Sequence, residues 1–92
     1  MRLKELKMRE LAGEYFVIVQ GRATGDSSRV VSLNATSLYL WNALHGWDFA
    51  VDEVSRLLVE HYQVDALVAR RDAEAWIEMA EKYGLIDVEG KR

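Results

Sequence analysis

The spacing of apolar positions along this chain changes once, near the middle. From Tyr15 to Gln20, YFVIVQ, aromatic and β-branched residues follow one another without a breaker, which is a strand pattern. RVVSL, from Arg29 to Leu33, reads as a returning strand with Val31 and Leu33 on one face and Val30 and Ser32 on the other. GRATGDSS, residues 21–28, is a turn-rich loop between them. Upstream, Lys7 to Ala12 reads as a weaker first strand, and Gly13-Glu14 can turn the chain into Tyr15 because glycine readily takes positive φ. The first half is therefore expected to be a three-stranded antiparallel meander.

After Leu33 the period becomes helical. Asn34 suits an N-cap, since its side-chain oxygen can accept from an orphan backbone N–H. The helix that follows runs to about Leu44 and is enclosed, because Leu38, Tyr39, Leu40 and Trp41 cover nearly every azimuth. Gly46 is placed to end it in a left-handed conformation. A second helix, about Val51 to Tyr62, carries one apolar stripe of Val51, Val54, Leu57, Leu58, His61 and Tyr62, and begins near Asp48. Asp52 and Glu53 suit the positive end of its dipole. The third helix, about Ala66 to Tyr83, starts at an Asp65 cap and buries Ala69, Ala73, Trp76, Ala80 and Tyr83, with Ile77 on the shoulder. Gly84 stops it, and Leu85 and Ile86 fold back on the core. The order β-β-β-α-α-α predicts an α+β domain spanning residues 1–92: a small three-stranded antiparallel sheet followed by a three-helix bundle, winged-helix-like in arrangement.

Composition narrows the function. The chain has 92 residues, 50% of them hydrophobic, with no proline and no cysteine. A chain of this length buries about 60–65% of its unfolded surface, so one modest core is expected. The absence of cysteine excludes disulfides and thiolate chemistry and suits the reducing cytoplasm. The formal net charge of −3 argues against a nucleic-acid partner. The charged opening MRLKELKMREL lacks the apolar run of a signal peptide. No apolar stretch approaches the roughly 18 residues that would span a membrane.

Reactive groups are sparse. Neither His45 nor His61 has a second histidine or a cysteine three or four residues away, so no metal site is expected. His61 reads as a packed, hydrogen-bonded histidine and His45 as a helix-end cation. The glycines of GRATG precede a strand rather than a helix, so they do not form a phosphate loop. The serines lack a G-x-S-x-G context. No enzyme activity and no cofactor are expected. Arg70 and Arg71 could contact phosphates from a winged helix, but Glu74, Glu78 and Glu81 follow on the same helix and would repel DNA.

The ordered set VVSLNATSLYLWNAL, VDEVSRLLVEHYQVD and RRDAEAWIEMAEKYGLI resembles the PqqD family of RiPP recognition elements. The matching features are Leu33-Asn34, Trp41, Gly46, Val54, Tyr62, Val64-Asp65, Asp72 and Gly84-Leu85-Ile86. Two positions depart from the family pattern: Ala50 replaces the usual Thr before the second helix, and the proline common near the third helix is missing. The resemblance implies a peptide-binding chaperone. Such domains hold the leader of a ribosomally made precursor peptide between the third strand and the third helix. They present it to a modifying enzyme, often a radical SAM enzyme, as in pyrroloquinoline quinone (PQQ) biosynthesis. Carried onto this chain, Arg29, Val30, Val31 and Ser32 would supply the strand ladder. Val68, Arg71, Asp72, Ala75 and Met79 would form the facing wall, with Arg71 placed for an acidic leader residue. Two alternatives are a winged-helix nucleic-acid binder and a homodimer formed through the same edge strand.

Overall fold

The computed structural model describes residues 1–19 and 29–87. In chain order the elements are β1 (Arg2–Leu3), β2 (Lys7–Leu11), β3 (Glu14–Val19), β4 (Arg29–Leu33), α1 (Ala35–Leu44), α2 (Val51–Tyr62), α3 (Ala66–Lys82) and β5 (Ile86–Asp87). Strands β2, β3 and β4 form one antiparallel sheet in that order, and three helices follow, so the fold is α+β as expected. The GRATGDSS loop lies outside the described residues.

The β2–β3 hairpin turns one residue earlier than Gly13-Glu14. Leu11 pairs with Glu14, and the two residues between them, Ala12 at φ 55° and Gly13 at φ 83°, both sit in the left-handed region. That is the type I′ geometry whose twist matches the flanking strands. Gly13 adopts it freely, whereas Ala12 does so against the preference of an L-residue.

A second, two-stranded sheet lies outside the pattern the sequence predicts. β1 pairs antiparallel with β5, Arg2 opposite Asp87 and Leu3 opposite Ile86. The Lys4 N–H extends this junction to the Leu85 carbonyl at 2.9 Å. Leu3 and Ile86 are buried, so the pair adds to the core.

Asn34 joins β4 to α1 without a loop. Its Oδ1 accepts from the Ser37 N–H at 2.8 Å, as a cap should. α1 buries Ser37, Leu40, Trp41 and Leu44 and half-buries Leu38 and Tyr39, while Ala35 and Asn42 face solvent. It is therefore less enclosed than its sequence suggests. Gly46 follows with φ 86°.

α2 starts at Ala50, not Asp48. Alanine has no side-chain acceptor, so only half of a capping box exists: Glu53 Oε1 accepts from the Ala50 N–H at 2.9 Å. Val54 and Leu58 are buried, but His61 and Tyr62 at the end of the stripe are exposed. His61 is thus not a packed core histidine. Its ring stacks on Tyr39, centroids 3.9 Å apart and 17° from parallel.

α3 begins at Asp65, whose carboxylate accepts from the Leu67 N–H at 3.0 Å. It buries Ala69, Ala73, Trp76 and Ala80. Tyr83 leaves this stripe and is 36% exposed. Arg70 bonds Asp52 of α2 at 2.8 Å and Glu74 at 3.3 Å. These exposed pairs contribute less than about 1 kcal/mol each, but they occupy Arg70. The helix ends in a Schellman motif: Leu85 N–H reaches the Ala80 carbonyl at 2.8 Å and Gly84 N–H the Glu81 carbonyl at 3.2 Å. Gly84 takes φ 81°, which is what favours glycine there; a Cβ would meet Val19 Cγ1 at 3.4 Å, an ordinary contact. Leu85, delivered by this turn, is fully buried with Val17, Leu40 and Val54. Each such side chain contributes about 1.5–3 kcal/mol by leaving water.

Candidate peptide-binding groove

Main-chain polarity along β4 follows from the hairpin. A two-residue turn makes Leu11 and Glu14 a bonded pair, and antiparallel strands direct alternate residues to alternate sides. Glu14, Phe16 and Ile18 therefore bond toward β2, and Tyr15, Val17 and Val19 toward β4. Their partners in β4 are Leu33, Val31 and Arg29. Val30 and Ser32 are left with N–H and C=O directed away from the sheet. Among the described residues no strand lies beyond them.

The open edge overlooks a groove of about 380 Å³. Its strand side is Arg29, Val30, Val31 and Ser32, its end is Asn34 and Ser37, and its far side is Met79 and Tyr83 of the last α3 turns. The Val31 side chain is half-buried and faces the core with Leu33, while Val30 is 64% exposed on the other face of the sheet. A second depression of about 320 Å³ adjoins the first through Asn34 and Ser37. Leu40, Leu58, Val64 and Trp76 give it an apolar lining, and Tyr62, Asp72 and Ala75 also border it. Between the two, the Trp76 indole N–H donates to Ser37 Oγ at 3.1 Å in a buried bond tying α3 to α1. The described residues contain no buried side-chain polar atom without a partner.

The site residues expected from the sequence divide into three groups. Arg29, Val30, Val31, Ser32 and Met79 come together around the first groove. Asp72 and Ala75 stand on the second depression. Val68 and Arg71 line neither; both are exposed nearer the start of α3. Helical spacing puts Tyr83 on the core stripe, yet it borders the groove with the Arg29 guanidinium 6.0 Å from its ring centroid. Asn34, at the junction of β4 and α1, and Ser37, in the first turn of α1, border both depressions. Tyr62 and Val64 belong to the rim because α2 ends there.

The arrangement offers unpaired main-chain groups, apolar surface and a few charges, which suit binding an extended chain. No cluster of three His, Cys, Asp or Glu side chains able to hold a metal occurs among the described residues. No helix among them is long and apolar enough to cross a membrane. Neither a curated protein nor a solved structure matches the chain closely enough to add to this picture. A family model described as coenzyme PQQ synthesis protein D (PqqD) matches residues 16–86, from within β3 to the first residue of β5. That stretch includes β4, α1 and α3 and most of the 92 residues, and the chain belongs to the PqqD family.

Proposed function

We propose that this chain is a non-catalytic peptide-binding chaperone acting in the synthesis of PQQ or of another ribosomally made, modified peptide. It takes the leader of the precursor as an added strand on β4 and presents it to the modifying enzyme, a radical SAM enzyme in the arrangement the family implies. The observation that carries this reading is the free edge of β4 facing Met79 and Tyr83 across an open groove. Strand addition completes the outward groups of Val30 and Ser32 and makes little demand on sequence, while side-chain pockets give selectivity. Met79, flexible and polarizable, suits a wall that must adapt to a peptide. Asp72 and Ala75 extend that wall, and Val68 and Arg71 would meet a leader that continues along α3. The acidic neighbours Asp52 and Glu74 beside Arg70 favour a peptide over the rival nucleic-acid reading.

The test is titration of isotope-labelled chain with leader peptides of precursor genes that neighbour its own, followed by NMR. Amide shifts at Val30, Ser32 and Met79 to Tyr83 are expected, with protection of the Val30 and Ser32 N–H groups. Absence of shifts along β4 with every neighbouring leader would overturn the proposal. Chemical-shift changes that appear on dilution of the chain alone would point to pairing of β4 with a second copy.

A further inference from the structure

The two ends of the groove carry opposite charge. At one end the Arg29 guanidinium and the Lys82 ammonium lie 6.0 and 5.8 Å from the centroid of the same Tyr83 ring. Both distances are within cation–π range. Two cations on one ring repel each other, and among the described residues neither forms an ion pair. At the other end, beyond Asn34 and Ser37, Asp72 is the charged side chain that borders the second depression among the described residues, and it likewise forms no ion pair among them. An extended chain on β4 passes from one environment to the other, because successive residues advance about 3.3 Å along the strand.

We infer that the groove fixes the direction of the bound peptide by charge: an acidic segment lies over Arg29, Tyr83 and Lys82, and an apolar or basic segment enters the depression beside Asp72. This rests on the peptide-binding reading and adds the chemical class of the leader. Main-chain bonds alone choose direction weakly, since a β-edge accepts either orientation with comparable bonding. Opposed charges at the two ends supply the difference, because a reversed peptide would bring like charges together at both. Arg29, Lys82 and Asp72 are then specificity-determining residues.

The probe is the leader that shifts Val30 and Ser32 in the titration above, carrying a nitroxide label at one terminus or the other. The label beside the acidic segment is expected to broaden Tyr83 and Arg29 amides selectively. The label at the opposite terminus should broaden Thr36 and Tyr62. Replacing Arg29→Glu together with Lys82→Glu should weaken binding about tenfold in low salt and far less at high salt, where the Debye length shrinks to about 3 Å. A leader with its acidic residues changed to lysine should recover that loss. Equal broadening of both sites by each label, a salt-independent effect, or a bound leader with no acidic residue near Tyr83 would overturn the inference. A leader that binds yet shows no directional preference removes this inference alone, whereas failure of every leader to bind removes the peptide-binding reading with it.

Discussion

β2 and β4 are the two outer strands of one sheet, and they treat their open edges in opposite ways. β2 is KMREL, with Lys7, Arg9, Glu10 and Leu11 exposed, and it ends in a tight turn. Charges along an edge are a common guard against unwanted pairing. β4 is RVVSL, with charge only at Arg29 and with Val30 and Ser32 presenting their main-chain groups outward. Its far end is clamped directly to α1 by the Asn34 cap, and α3 stands across from it rather than upon it. The contrast teaches that exposure of a strand is not by itself a binding site. The difference lies in rigidity, in missing charge and in a facing wall.

The largest expected effect comes from removing the support behind β4. Leu40 is fully buried in α1, and Leu40→Ala should cost about 2–5 kcal/mol of stability, measured by denaturant unfolding. A cost near zero would mean that α1 does not anchor the strand. Next, a proline at an outward position should separate the two edges. Ser32→Pro removes an N–H that points away from the sheet and should weaken leader binding at least about tenfold by calorimetry while leaving the fold intact. Glu10→Pro, the corresponding change on β2, should leave affinity unchanged. Equal losses at both edges would erase the distinction. Asn34→Ala should cost about 1 kcal/mol and speed amide exchange at Ser37. The smallest effect is a gain: Ala12→Asn relieves the positive φ of the hairpin turn and should add up to about 1 kcal/mol to melting stability without altering leader affinity.

Much of this architecture was legible in the sequence because its signals are local. The apolar run from Tyr15, the alternation of Arg29–Leu33 and the stripe Ala69, Ala73, Trp76 and Ala80 each depend on neighbours within a turn or two. What escaped depends on distance or direction. Two-residue strands such as β1 and β5 have no pattern of their own, and their pairing joins opposite ends of the described chain. The cap of α2 was hidden because Ala50 looks unable to cap, while Glu53 satisfies the N–H from the other side. The groove residues of β4 were readable once its edge was suspected. Those of α3 were readable only in part, since helical spacing gives a face but not the angle between helix and strand. That angle brings Met79 and Tyr83 to β4, leaves Asp72 and Ala75 on a second depression, and carries Val68 and Arg71 past both.

The bond from Trp76 to Ser37 has an optical consequence. Trp41 and Trp76 are 4% and 8% exposed and Trp47 is 68% exposed, so the chain emits from two shielded indoles and one wet one. Acrylamide or iodide can silence Trp47 first. The remaining emission includes an indole whose N–H is held by Ser37 at the junction of the two depressions. A ligand that fills either depression changes the polarity around that ring, and its arrival can be timed in a stopped-flow fluorimeter without any added dye.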